Sequence, residues 1–278
     1  MINFKMLVVL YKESIDSSTT LESIKKVFEH NHLHSNFELL IWDNSPVSLI
    51  TKEELRIYSD NCGGIKHIEY IHNELNKPLS FIYNFALNKY KDGDYIIILD
   101  QDSGFDKGYI EEVINVALEQ SPELILPIIY YKNKIVSPSK ISYIRGNYYK
   151  CIPCGRINPK KISAINSGMI ISLDYIKRIA FEYNKYLKNY CTDDYFMRQF
   201  RRFGNYAYVL NYTFKHHLSL STLNDNSELL KERYKLMKEG RYIVYSENLF
   251  DKIAIRVYFS IHKIYMAFKY KDISYLKV

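Results

Sequence analysis

Two carboxylates lie one residue apart directly after an apolar run in the first half of the chain. The run spans residues 95–99, and Asp100 and Asp102 follow it. A continuous β-branched run of this kind is typical of a buried strand in a parallel sheet. Ligands of open α/β sheets bind beyond the carboxyl ends of such strands. The pair therefore predicts a Mg²⁺ or Mn²⁺ site completed by substrate phosphates, the alternative being an acidic surface turn.

Strand and helix patterns alternate around this pair. Strands are predicted over 4–11, 37–42, 65–71, 95–99, 124–129, 161–165 and 206–210, and helices over 17–32, 78–90, 107–119 and 193–203. Loop-rich sequence follows the strand over 124–129 and extends to residue 156, and the end of the chain is helical in pattern. Alternation with short connections is typical of βαβ units. We expect an α/β fold with a mostly parallel central sheet, in one domain over 1–220 that is followed by a helical extension over 221–278.

Composition narrows the classes of partner. The net charge of +7 suits anionic ligands. Since no basic run alternates with aromatic residues, we do not expect a nucleic acid as a partner. No apolar stretch is long enough to cross a membrane, and a cytoplasmic protein is expected. Cys151 and Cys154 have no second ligand pair at zinc spacing and are interpreted as loop cysteines.

Phosphate-binding glycine motifs do not occur, neither G-x-G-x-x-G after a strand nor a P-loop. The charge of a diphosphate must then be met by a metal, which again indicates Asp100 and Asp102. Tyr11 closes the first predicted strand and Asp43 the second, where a carboxylate can accept hydrogen bonds from a base or ribose. The residues from Asp43 onward also fit a simple turn.

Two later groups each allow two interpretations. His216 follows a predicted strand and is either a metal ligand or a structural histidine. Asp193 and Asp194 precede a predicted helix, where the macrodipole favours acids. One of them could instead be the general base that deprotonates an acceptor hydroxyl.

Taken in order, these pieces resemble the family 2 GT-A glycosyltransferases, particularly the bacterial rhamnosyltransferase-like branch of O-antigen and capsule synthesis. The resemblance covers roughly residues 4–220. The segments that carry it are Tyr11, 43–45, Asn73, Ser80, Asn84, 100–103, 166–168, 193–195, Arg198 and 216–219. The Asp-Gln-Asp-Ser sequence from Asp100 is the most specific of them.

The resemblance implies a role for each matched position. Asp43 would contact the donor base, Asp102 would be the main metal ligand, and Asp100 would lie beside it. The other implied positions are Tyr11, Asn73, Asn84 and Gln101 in the donor pocket, His216 at the metal or diphosphate, and Ser167 and Gly168 at the acceptor. Asp193 would be the base with Asp194 as its neighbour, although relatives differ at these positions and leave the choice between the two open.

The implied reaction is transfer with inversion, assisted by Mg²⁺ or Mn²⁺. The donor would be a dTDP- or UDP-sugar, with rhamnose as one candidate sugar. The acceptor would be an oligosaccharide linked to a polyprenyl diphosphate, in surface polysaccharide biosynthesis.

The last part of the chain is amphipathic in a particular way. Lys252, Arg256, Ser260 and Lys263 recur at helical spacing as one basic stripe, and the other positions are mostly apolar. Residues 250–271 thus suit either a helix at an anionic membrane surface or one docked on the catalytic domain with its charges outward.

A different class of enzyme also uses D-x-D after an apolar strand. In haloacid-dehalogenase-type phosphatases Asp100 would be the nucleophile and Asp102 the acid and base. That motif usually lies on the first strand, whereas about 95 residues of βαβ pattern precede it here. A non-catalytic carbohydrate-binding module is the third class, but it would not need a metal pair at this edge.

Overall fold

A computed structural model describes residues 1–29, 33–131, 134–215 and 227–278. Its helices are α1 (Thr19–Phe28), α2 (Lys52–Asp60), α3 (Leu79–Lys89), α4 (Lys107–Gln120), α5 (Leu173–Arg178), α6 (Thr192–Phe203), α7 (Ser227–Val244) and α8 (Leu249–Tyr270). Its strands are β1 (Asn3–Leu10), β2 (Asn36–Asp43), β3 (His67–His72), β4 (Tyr95–Asp100), β5 (Leu124–Tyr131), β6 (Lys134–Ser142), β7 (Arg145–Tyr149), β8 (Gly155–Ile157), β9 (Ile162–Ser163), β10 (Met169–Ser172) and β11 (Ala207–Lys215).

The strands form one sheet in the order β3-β2-β1-β4-β10-β5-β11-β8, and β6, β7 and β9 branch from β5. The first four strands are parallel, whereas β10 runs antiparallel to both β4 and β5. The predicted α/β class is therefore confirmed. Because β10 is reversed, its first residues lie beside the last residues of β4, so two distant segments reach the same edge of the sheet.

Hydrophobic clusters cover both faces of the sheet. On β1, Phe4 and Met6 belong to the cluster that also contains residues of α1 and α4. Leu7 points to the other cluster, formed with α3, α5 and α6. Burial on both faces explains why the central strands are continuous apolar runs.

Several elements differ from the sequence prediction. Helix α2 was not predicted, because Tyr58 is its one buried residue and its apolar period is weak. It begins with a capping box, in which Thr51 and Glu54 bind each other's backbone N–H. Strands β6 and β7 occupy a region predicted as loop, since β7 is polar and largely exposed. The strand predicted over 161–165 is reduced to β9, and β10 follows it.

Helices α7 and α8 are docked on the rest of the protein. They share a third cluster with Ile144, next to β7, and Leu187, in the segment before α6. Arg198 of α6 also donates a hydrogen bond to the buried carboxylate of Asp251 on α8. None of the helices in the described residues is long and apolar enough to cross a membrane.

Candidate active site

The carboxyl ends of the parallel strands bring the predicted polar residues to one edge. In the strand register Asp43 lies beside Leu10 on one side and His72 on the other. Asp100 lies beside Val9. Tyr11 directly follows β1 at the same edge and is 42% exposed. The edge therefore carries Asp43, Asp100 and Tyr11 within three neighbouring strand ends.

The segment before β10 holds the carboxylate of Asp100 in place. The hydroxyl of Ser167 donates to Oδ2 of Asp100. The N–H of Gly168 donates to the carbonyl of Ile98 at 2.8 Å. Gly168 has a φ of +73°, and a Cβ there would lie 1.9 Å from a ring atom of Phe214. This close approach requires a glycine.

The N-terminus of α1 fixes the turn that contains the second carboxylate. Thr20 accepts a hydrogen bond from the N–H of Ser103 at 2.8 Å, and its hydroxyl donates to the carbonyl of Asp100. The side chain of Gln101 accepts the N–H of Tyr11 at 2.7 Å. The turn is thus tied to both β1 and α1, with the half-buried Asp102 at its centre.

The acidic pair fits a hard divalent cation. Asp100 and Asp102 provide two carboxylates on one turn, and Mg²⁺ is commonly held by one or two carboxylates together with substrate phosphates. In the described part of the chain no three His, Cys, Asp or Glu residues are grouped as a complete metal site. His216, the predicted third ligand, lies outside the described residues.

Asp43 is fully buried at the end of β2. Its carboxylate accepts the hydroxyl of Tyr70 at 2.7 Å and the N–H of Ser45 at 3.0 Å. These two bonds fix the orientation of the carboxylate, and its contact with a donor base remains a prediction.

The two predicted donor-pocket asparagines have structural contacts of their own. Asn73 donates its N–H to the carbonyl of Asp43 at 2.8 Å and accepts the N–H of Leu75 at 3.0 Å. Asn84 pairs with the backbone of Tyr183 in both directions, at 2.9 and 2.7 Å. Asn84 therefore joins α3 to the segment that leads to α6, and a donor contact for either residue remains a prediction.

Asp193 and Asp194, at the start of α6, have different environments. Arg241 of α7 binds Asp194, with Nε 2.9 Å from Oδ2. Asp193 accepts the N–H of Asp194 at 2.8 Å. Burial raises the pKa of Asp193 to about 7, the charge of Asp194 adds to this, and the Asp194 N–H and Arg241 oppose it. One carboxylate is thus neutralised by a cation, and the other titrates near neutral pH.

A short polar chain links α6 to the edge of the sheet. The side chain of Asn166 donates to the hydroxyl of Thr192 at 2.9 Å, directly before Asp193. The next residue, Ser167, binds Asp100. The negative charge of Asp100 also contributes to the raised pKa of Asp193. The candidate base and the candidate metal pair therefore belong to one site.

The role of Arg241 is absent from the sequence interpretation. It lies 47 residues after its partner Asp194, on a helix whose sequence suggests no active-site contact. The sequence signal for this role is a basic residue on the buried side of the amphipathic helix α7. That pattern is common and does not indicate an active-site contact.

The fold and site define a GT-A glycosyltransferase architecture, in which a parallel half sheet ends in the acidic pair and a reversed strand follows. The chain belongs to Glycosyl transferase family 2, whose family model matches residues 6–180. No protein of curated function matches the sequence significantly.

Solved structures of TarS from S. aureus share this fold. Full-length TarS superposes with a TM-score of 0.55 at 14% identity, over 91% of this chain and 41% of TarS. TarS 1–349 with UDP gives 0.56 at 13% identity, over 91% of this chain and 68% of that one. TarS 1–349 with UDP-GlcNAc gives 0.51 at 15% identity, over 87% and 67%. At this identity the likeness concerns the fold, and the chain spans about two fifths of full-length TarS.

Proposed function

We propose that this protein is an inverting glycosyltransferase that moves a sugar from a nucleoside diphosphate donor to a saccharide hydroxyl. The observation that carries the proposal is Asp193, whose pKa is raised to about 7 at the edge that bears Asp100 and Asp102. A general base is most effective when its pKa lies near the working pH. Family 2 membership argues against the phosphatase alternative.

Asp193 is the proposed base because its neighbour is already engaged. Asp194 contacts Arg241 of α7, with Nε 2.9 Å from Oδ2. In the proposed step the acceptor oxygen attacks the anomeric carbon while its proton passes to Asp193. The bond from that carbon to the diphosphate oxygen breaks with its electron pair, and the nucleoside diphosphate leaves from the opposite face.

The proposed donor is a UDP- or dTDP-sugar. The TarS complexes with UDP and UDP-GlcNAc support a pyrimidine nucleotide on this fold. Asp43 would receive the base, with Tyr11, Asn73, Asn84 and Gln101 around the donor pocket. Rhamnose is the candidate sugar favoured by the Asp-Gln-Asp-Ser sequence.

Asp102 and Asp100 are the proposed ligands of Mg²⁺ or Mn²⁺, with His216 as a further one. A bound cation would supply positive charge that stabilises the diphosphate leaving group. The hydroxyl of Ser167 orients Asp100 for this role.

The acceptor is proposed to be a lipid-linked oligosaccharide of O-antigen or capsule synthesis on the cytoplasmic side. It would pass Ser167 and Gly168, which lie between Asp100 and the start of α6. Residues 1–220 would form the catalytic domain, and residues 221–278 an extension that supports Asp194 through Arg241.

A nucleotide-sugar screen tests this proposal. UDP- and dTDP-sugars are added to the full chain with Mn²⁺, and the melting temperature is measured. A donor at one hundred times its Kd stabilises the fold by about 2.7 kcal/mol. Slow hydrolysis of that donor to nucleoside diphosphate supports transferase chemistry. Release of phosphate from an aryl phosphate, without a response to any donor, would contradict it.

A further inference from the structure

Helix α8 has a second apolar face that is largely exposed in the described residues, apart from a ring contact between Phe250 and Tyr143. Its inner face, with Ile255, Phe259 and Met266, is buried in the third cluster. We call the opposite face the outer stripe. It comprises Phe250, Ile253, Val257, Ile261, Ile264 and Phe268, each between 47% and 80% exposed. These residues recur every three or four positions, so they form one continuous face of the helix.

Basic residues border the outer stripe on both sides. Residues 252–271 contain five Lys and Arg and no Asp or Glu. On one side Lys252, Arg256 and Lys263 form the row seen in the sequence. On the other side lies a groove of about 720 Å³ between α8, α7 and β7, lined in part by Arg145 and Lys269.

The stripe is presented by a firmly held helix. Asn248 caps the start of α8 by accepting the N–H of Asp251 at 2.8 Å. Asp251 also accepts hydrogen bonds from Arg198 and from the hydroxyl of Tyr143. These contacts fix the first turn of the helix, so the outer stripe faces away from the protein as a consequence of the fold.

We propose that the outer stripe docks this protein on the surface of an anionic phospholipid membrane. The apolar side chains would enter the acyl-chain boundary, and the basic residues on both borders would meet lipid phosphates. The positive charge of α8 favours anionic lipid over a second copy of the chain as the partner of the outer stripe. Two copies joined stripe to stripe would bring two strongly basic helices together, whereas anionic lipid complements them.

Membrane docking would also affect the candidate active site, because the groove beside α8 extends to one of its residues. It shares Ile261 and Tyr265 with the exposed side of α8, and Arg241, the partner of Asp194, also lines it. A ligand anchored in the membrane would thus reach Arg241 on α7, which binds Asp194. This consequence rests on the proposed function, whereas docking itself does not.

Vesicle co-sedimentation of the full chain tests docking. The wild-type protein is expected to bind phosphatidylcholine vesicles with 30% phosphatidylglycerol about 100-fold more strongly than pure phosphatidylcholine, because each of the three basic residues of the row contributes about fivefold. The double variant V257E/I261E is expected to lose most binding to both. The variant I57E is the matched control, because Ile57 is 48% exposed on the distant helix α2.

The basic border that contains Lys252 and Arg256 is tested by K252Q/R256Q, which is expected to weaken binding to anionic vesicles by about 25-fold and to leave binding to neutral vesicles unchanged. Each variant must keep the melting temperature of the wild type. Equal sedimentation of V257E/I261E and wild type would overturn the proposal. A wild-type dimer in light scattering that V257E/I261E abolishes would do so as well, in favour of self-association. The donor-induced thermal shift is measured separately, so failure of docking and failure of the proposed function are distinguishable.

Discussion

The guanidinium of Arg241 lies 2.9 Å from the carboxylate of Asp194 and joins α7 to the first turn of α6. The pair gives two adjacent acids different environments. Asp194 is held by a cation, while burial and the charge of Asp194 raise the pKa of Asp193. The C-terminal helices therefore take part in the electrostatics of the site, although they lie beyond the residues that the family model matches.

The first prediction concerns Arg241 itself. In R241M the positive charge that lowers the pKa of Asp193 is lost, so that pKa rises. The ascending limb of the pH–rate profile should shift to higher pH. Loss of one partner of a largely buried ion pair should also lower the free energy of unfolding by about 3 kcal/mol. R241K should restore part of the stability and part of the pH profile. R202M is the control, because the more exposed Arg202 of α6 forms an ion pair with Glu247. An unshifted limb in R241M would refute the electrostatic role.

The pH dependence of stability provides a second prediction. The pKa of Asp193 is raised from 3.8 to about 7, chiefly by burial. Between these values the folded state holds a proton that the unfolded state has lost, so the stabilisation is complete below about pH 4 and is lost as pH approaches 7. D193N removes this dependence. The free energy of unfolding of D193N and of the wild type is measured in urea at about pH 5 and pH 8. The value for D193N minus the value for the wild type should be larger at pH 8 than at pH 5. A constant difference would show that the Asp193 pKa is not raised.

Separate roles for Asp193 and Asp102 lead to a third prediction. D193N should lower the rate of transfer by about 10²–10⁴-fold, as expected for loss of a general base, while the donor-induced thermal shift persists. D102N should lose the part of the donor shift that depends on Mn²⁺. The D194N variant separates the two acids, because its transfer rate at high pH should exceed that of D193N. The opposite order would make Asp194 the base.

Gly168 carries a fourth prediction, on stability. A Cβ at this position would lie 1.9 Å from Phe214, and the φ of +73° disfavours any other residue. G168A should therefore lower the free energy of unfolding by about 3 kcal/mol. G146A is the matched control, because a Cβ there meets its nearest atom at 3.9 Å. Chemical denaturation of both variants provides the measurement, and equal losses would contradict the steric argument.

Much of the sheet was predictable because burial leaves a direct pattern. Strand β4 is buried over all but its last residue, which is why its apolar run ends sharply at Asp100. Strand β10 has four residues and directly follows Gly168. The sequence pattern does not predict this strand, although Ser167, two residues before it, is a candidate site residue. A strand of four residues leaves too short a pattern to be distinguished from a loop.

The parts of the site that were not predictable depend on distant contacts. The choice between Asp193 and Asp194 follows from Arg241, 47 residues beyond Asp194, and no local spacing encodes such a pair. The amphipathic pattern of residues 250–271 allowed a docked helix or a membrane-facing one. In the structure α8 does both. Its inner face is buried by residues that include Asp251, Ile255 and Phe259, and its outer stripe stays exposed.

The reversed direction of β10 has a further consequence for how such a protein diversifies. Apart from His216, the proposed donor-side residues come from chain segments before residue 104, and the proposed acceptor residues and base come from segments after residue 165. The two sets touch through the bond between Ser167 and Asp100. On the proposed roles, we expect exchange of the later segments between homologues to alter which hydroxyl is modified and to keep the same nucleotide. We expect a chimera joined between β4 and β10 to take its activated sugar from one parent and its linkage from the other.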